Sequence, residues 1–258
     1  VVDFDPIATQ QKYISGAVMM DRNLGALNTT KGDARSFGLF YQWGRKDPFI
    51  GVGTTDYSSY ASTFPTNVIS YKETTEALGT VENATKNPTT FFYYGPDSDW
   101  HYPYRDNSLW ESEKSIYDPC PSGWRVPDGG GGVWSNIEDG RSTSTNGYVF
   151  TLPYSTPAAY YPSAGYMYNG GSISSESRRY WSCTNSNQQA YYFNAGTNYT
   201  TTMNRYYGLP VRCTKDQDIT IEITGTHSIT DTSAVITGEV TLKEMGVSEL
   251  LEIGTVIS

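Results

Sequence analysis

Apolar residues fall into several textures along this chain. Over 33–44, "DARSFGLFYQWG", Phe37, Phe40 and Tyr41 stand at i, i+3 and i+4, Asp33 precedes them as a cap and Gly44 follows as a stop, which predicts a helix. Pro48 then biases Asp47 away from helical backbone, so "RKDPF" is a turn. From 50 to 110 no period is sustained and Thr, Ser, Asn, Tyr and Gly dominate, which predicts long ordered loops packed over the core. From 114 onward short apolar pieces alternate with turn signals, and "GYVFTLP", "RRYWSC", "AYYFNAG" and "LPVRC" read as antiparallel strands. "DGGGGVW" at 128–134 is a flexible insertion, and without a following Gly-Lys-Ser/Thr it is no phosphate loop. After Asp216 the period becomes two, with Ile219, Ile221 and Ile223, then Ala234, Ile236, Gly238, Val240 and Leu242, and a third strand in "LLEIGTVIS". That is about half of an immunoglobulin-like sandwich. Two units are therefore expected, 1–216 and 217–258.

Composition changes this picture by pointing outside the cell. Hydrophobic residues are 37% and charged residues only 17% of the 258, while 22 Tyr stand against 9 Phe. Tyrosine fills space with its ring and satisfies its hydroxyl at a wet surface, which favours a loop- and strand-rich extracellular domain over a helical cytosolic enzyme. The net charge of −9 repels phosphate backbones, and no run of Lys or Arg interleaved with aromatics offers an exception, so nucleic acid is not an expected partner. No stretch approaches the roughly 18–20 apolar residues of a membrane span. Val1 follows no leader pattern, so an export signal or lipid anchor is expected beyond the sequence quoted. Cys120, Cys183 and Cys213 allow three single disulfides or three reduced thiols. Cys120 with Cys213 is preferred, because "DPCPSGW" and "PVRCTKD" read as entry to and exit from one compact unit; the chain-entropy model gives such a long loop about 4–5 kcal/mol.

Several stretches together resemble a known family. "MMDRNLGA" (19–26), "GLFYQWGRKDPF" (38–49), "KSIYDPCPSGWRVP" (114–127), "RYWSCT" (179–184) and "GLPVRCTKD" (208–216) are similar, in order over roughly 12–216, to the Fibrobacter succinogenes major paralogous domain family of Bacteroidetes surface and fimbrial-tip-like adhesion proteins. The resemblance implies an α+β, C-type-lectin-like domain with long ordered loops, related to formylglycine-generating enzymes and carrying a helix after "GWRVP". The four glycines after Pro127 oppose helix there, so that second helix is expected short or displaced. The tail from 217 resembles the beginning of an immunoglobulin- or fibronectin-like stalk module.

The ribbon "YWSCTNSNQQAYYFNAGTNYTTTMNRYYGLPVRC", 180–213, holds six Tyr, five Asn and seven Ser or Thr, with Arg205 and Arg212 as its only charges. It resembles the variable regions of retroelement-diversified proteins, which are binding surfaces on a rigid scaffold. Independently of that, Tyr supplies rigid amphipathic area and Asn, Ser and Thr supply adaptable hydrogen bonds, as in an antibody paratope. Alternation turns Trp181 and Phe193 inward. The candidate contacts are Asn185, Asn187, Gln189, Tyr191, Asn194, Asn198, Tyr199, Asn204 and Tyr206; the competing assignment packs the tyrosines and puts the asparagines in turns. In "DSDWHYPYRDN", 97–107, Trp100 and Tyr102, with Tyr104, offer rings for sugar stacking. Asp97, Asp99 and Asp106 offer oxygens, but their spacing matches no calcium loop, and no metal ligand and no cofactor are named.

Enzymatic signals are thin. The histidines are His101 and His227; H-E-x-x-H, G-x-S-x-G and CxxC are absent. Cys183 beside Trp181 reads as a buried thiol rather than a nucleophile. The expectation is a non-catalytic, adhesin-like module on the bacterial cell surface. Its expected partner is a glycan or a host or bacterial surface protein, with a neighbouring pilus or surface-protein chain as a further one. A formylglycine-generating or polysaccharide-active enzyme and a structural pilus component are the alternatives.

Overall fold

The structure, a computed structural model, describes residues 10–13, 15–50, 70–93, 98–129, 132–134, 137, 141–152, 155–168, 173–174, 177–197, 199–216, 219–227, 235–242 and 247–253. The chain divides into two compact units, 1–215 and 216–258. In the first, β1 (Gln10–Lys12) and β2 (Val18–Met20) pair antiparallel, and β3 (Phe40–Gln42) follows a 3-10 turn at Ala34–Ser36. The strands β4 (Ser70–Glu73) and β5 (Thr90–Tyr93) pair in parallel and are connected through α1 (Val81–Lys86). A second 3-10 turn, Asn107–Leu109, precedes β6 (Trp124–Arg125). An antiparallel meander follows in β7 (Arg141–Ser144), β8 (Gly147–Leu152) and β9 (Ser155–Pro162). After the short β10 (Tyr166–Met167) and β11 (Ile173–Ser174) comes the three-stranded sheet of β12 (Arg179–Ser186), β13 (Gln189–Asn194) and β14 (Tyr199–Asn204). The last strands close earlier sheets: β15 (Gly208–Pro210) lies between β10 and β3, and β16 (Thr214–Lys215) lies between β2 and β6.

The second unit is described for its backbone. Strands β17 (Ile219–His227), β18 (Val235–Leu242) and β19 (Val247–Ile253) form one antiparallel sheet, with a register shift between Ile223 and Gly225. Among the described residues the second unit holds this one sheet, so the expected half-sandwich is a single three-stranded sheet.

The class is mainly β, and this overturns the α+β, C-type-lectin-like expectation. The described residues hold one short α-helix, α1, and several small sheets. The helix expected over 33–44 is a single 3-10 turn followed by a strand. Asp33 does cap that turn, its side chain accepting from the Arg35 amide. Gly38 then takes φ +78, a left-handed backbone that stops any helix, and a Cβ there would meet the Leu24 carbonyl and Asn23. Beyond it all three residues of β3 are buried, and a short strand covered on both faces has the same apolar run as a buried helix segment. No helix follows "GWRVP" among the described residues. Gly129 instead packs flat on β12 and β13, where a Cβ would strike Ser182 and Tyr191.

Two hydrophobic cores flank the β12–β14 sheet. Trp181, Cys183, Ala190, Tyr192 and Met203 enter the larger one with Trp43, Trp100 and Trp110. Tyr180 and Phe193 enter the other with Trp134, Phe150 and Tyr161. Successive side chains on a strand point to opposite faces, so the root of this sheet is a wall between two cores.

Candidate functional site

Backbone acceptors lock the root in place. The Trp181 indole donates to the Tyr41 carbonyl at 2.9 Å, and Trp43 returns an indole bond to the Ser182 carbonyl at 3.0 Å. The Tyr180 hydroxyl donates to the Pro162 carbonyl. Below it Arg212, fully buried, lies 3.9 Å from the Tyr161 ring centroid and gives hydrogen bonds to Asn23 and the Tyr160 carbonyl. Cys120 and Cys213 are disulfide-bonded with Cα atoms 6.0 Å apart, which ties the strand end after the ribbon to the "DPCPSGW" turn.

Past the register shift between Trp181 and Asn185 the sheet leaves the smaller core, while Ala190 and Met203 still enter the larger one. Asn185 and Asn187 are exposed, and Asn187 turns the hairpin at φ 54. Gln189, Asn204 and Thr202 form a polar row: the Gln189 amide donates to Asn204 Oδ1 at 2.8 Å and Thr202 donates to Gln189 Oε1 at 2.7 Å. Tyr191 is half-buried beside Gly129. Asn194 is half-buried and accepts from the Gly196 amide at 2.9 Å, the bond of a turn residue. Tyr199 is 54% exposed, whereas Tyr206 is 5% exposed with its ring tilted against that of Tyr207 at 4.5 Å. Asn198 and Asp97 lie outside the described residues.

Arg205 couples the hairpin tip to the 98–109 loop. Its guanidinium donates to the Asn187 carbonyl (2.7 Å), the Gln189 carbonyl (3.2 Å), Asn107 Oδ1 (2.5 Å) and Asp99 Oδ2 (3.3 Å), and lies 4.1 Å from the Trp43 ring centroid. Burial pushes the Asp99 carboxyl up against the pull of Arg205, and pushes Arg205 down against the pull of Asp99. Asp99 is thus the partner of an internal cation, and Asp106 caps the Asn107–Leu109 turn through Ser108.

Next to this joint is a depression of about 640 Å³ lined by Thr80, His101, Tyr104, Arg105, Asp106 and Asn107. Tyr104 is 59% exposed at its rim and its ring lies 5.5 Å from that of His101. The His101 Nδ1 is 2.7 Å from the Gly79 carbonyl. Trp100, in contrast, is 1% exposed with its indole given to the Trp43 carbonyl, and Tyr102 is half-buried. The ring that the loop displays is therefore Tyr104.

A second depression, about 370 Å³, is lined by Trp110, Glu111, Ser112, Glu113, Cys183 and Asn185, with Thr184. Burial, reinforced by the Asp128 carboxylate, raises the Cys183 thiol well above its ordinary value, and its S–H faces Asp128 Oδ1 at 3.2 Å. Such a thiol stays protonated and is a poor nucleophile. Burial opposes ionisation of Asp128 too, but bonds from Arg125 and Ser112 outweigh it and hold the carboxyl below its ordinary value. Among the described residues no three His, Cys, Asp or Glu side chains gather as a metal site, and no helix is long and apolar enough to cross a membrane. Comparison with known proteins adds no relative: no family model, curated protein or solved structure matches the chain.

Proposed function

We propose that this protein is a non-catalytic, adhesin-like binding module of a bacterial cell surface. Its recognition surface is the β12–β13 hairpin tip together with the depression rimmed by Tyr104. The observation that carries this reading is Arg205: one buried guanidinium holds the hairpin turn and Asn107 at once, so exposed polar groups from distant parts of the chain are pre-positioned on a stiff base. Preorganisation of this kind reduces the entropy lost on binding. The surface offers an aromatic ring, amides and hydroxyls with little charge, which suits a glycan or the polar surface of a host or bacterial protein. The raised Cys183 thiol weighs against a cysteine-dependent enzyme. The resemblance of stretches such as "KSIYDPCPSGWRVP" to the Fibrobacter succinogenes major paralogous domain family supports a surface role, and the lectin-like fold is not carried over with it.

The test is an array of glycans and surface proteins probed with the full chain, followed by Tyr104→Ala and Asn185→Ala. Binding of an array member without turnover, weakened about tenfold by Tyr104→Ala, is expected. Turnover of a polysaccharide, or binding that neither substitution alters, would overturn it.

A further inference from the structure

We propose that the opposite end of the same sheet, around Arg179, is a second recognition site, which takes the carboxylate of an acidic sugar on a glycan. The inference rests on reading the molecule as a binding module but uses none of the residues of the Tyr104 depression. Register places the site: Arg179 pairs with Asn194, and Asn194 pairs with Tyr199. All three therefore point to one face, and Arg179 and Tyr199 stand two strand spacings apart, roughly 10 Å. On that face the Arg179 guanidinium lies 4.7 Å from the Tyr166 ring centroid and 5.3 Å from that of Tyr192. Tyr207 meets Tyr166 edge-on at 5.5 Å.

What sets Arg179 apart is its hydrogen bonding. Arg45, Arg125, Arg205 and Arg212 each give their forks to oxygen atoms. Among the described residues Arg179 donates only to the Met203 sulfur, at 3.8 Å, and pairs with no carboxylate. None of its nitrogens is buried without a partner, so its remaining N–H groups open to solvent. Ring faces hold the guanidinium still and leave the fork free, the arrangement that a planar two-oxygen group completes. At −9 the molecule repels polyanions at long range, so a single carboxylate borne on a group that also stacks is favoured over a phosphate chain. The stacking surface is present: the 54%-exposed Tyr199 ring presents a face for sugar C–H groups and a hydroxyl for hydrogen bonding. The exposed aliphatic side chains among the described residues, Leu27 and Ile116, lie outside this sheet, so nothing here favours an apolar peptide.

The experiment uses uronate- and sialate-terminated oligosaccharides, each beside its carboxyl-reduced counterpart, and measures affinities for the full chain and for Arg179→Gln, Arg179→Lys and Tyr199→Ala. At least one carboxylated sugar should bind about ten- to a hundredfold tighter than its reduced form. Arg179→Gln should abolish that preference, Arg179→Lys should keep part of it, and Tyr199→Ala should weaken both forms several-fold. Should Arg179→Gln fail to fold, the exposed Tyr199→Ala and the reduced sugars still carry the comparison. The proposal is overturned if no carboxylated sugar is preferred, if the preference survives Arg179→Gln, or if peptides ending in a free carboxylate bind this face instead. Neutral binding that depends on Tyr104 without any carboxylate preference sinks this site and leaves the first, whereas no binding to any glycan or protein sinks both.

Discussion

Tyr180 and Asn185 belong to one strand of the three-stranded sheet, yet the first is fully buried and the second is exposed. The root of the sheet has a core on each face, so alternation there sorts side chains between two interiors: Trp181 to one, Tyr180 and Phe193 to the other. The tip, beyond the register shift at Trp181–Asn185, has lost the smaller core and reaches the larger one through Ala190 and Met203. Composition is shared between the two regions; what differs is whether another layer covers the strand. A polar-aromatic ribbon can therefore be both a structural wall and a displayed edge, and only the displayed part can be a recognition surface.

The sharpest way to break this comparison is to truncate one ring at the root and one amide at the tip. Trp181→Ala removes a fully buried indole and its bond to Tyr41, and should cost about 3–5 kcal/mol in urea unfolding. Asn185→Ala, exposed, should stay within about 0.5 kcal/mol. Equal losses at both positions would mean that the tip is as much a part of the packed structure as the root. Next in size is the joint between the tip and the 98–109 loop. Arg205→Lys keeps a charge but loses the fork that reaches Asn187, Asn107 and Asp99 together, and should cost about 2–3 kcal/mol. Faster amide hydrogen exchange should accompany it at residues 185–189 and not at 180–183; uniform exchange would remove Arg205 from its role as the joint. Smaller again is the turn itself. Asn187→Val puts a β-branched residue at φ 54 and should destabilise by about 1–2 kcal/mol, while Asn187→Gly should be near neutral. A tolerated valine would show that the hairpin turn is not held in that conformation.

The sequence showed the strands of the ribbon but not their covering. Short apolar pieces between turn residues mark β8, β12 and β13, because a strand's local pattern depends on its own residues. "GLFYQWG" misleads, since β3 is covered on both faces and Gly38 breaks the backbone at a place where i, i+3, i+4 spacing continues. Of the contact candidates, Asn185, Asn187 and Tyr199 are displayed, whereas Trp100 and Tyr206 are packed: a tyrosine or tryptophan looks the same in sequence whether its polar atom meets water or, as for Trp100, a buried carbonyl. Arg179 carried no signal at all. Its interest lies in the absence of an oxygen partner among the described residues, which is a property of three-dimensional neighbours.

The boundary between root and tip lies where the 127–129 segment grips β12. The Cys183 amide donates to the Pro127 carbonyl, the Gly129 amide donates to Thr184 Oγ1, and the Cys183 thiol faces Asp128. Asp128 is itself held by Arg125 at 2.7 Å and by Ser112. Burial disfavours its charge, but these bonds win and depress its carboxyl below the ordinary 3.8. A carboxylate depressed in the folded state contributes stability that is fully present above the unfolded value and is lost as pH falls through the folded one. Asp128→Asn should therefore destabilise by about 1 kcal/mol or less at neutral pH, and the gap from the parent protein should close as the pH drops below 3.8. Urea titrations at neutral and acid pH measure that gap. If it stays constant or widens in acid, the ionised Asp128 is not what anchors β12 at the point where the buried wall becomes the displayed edge.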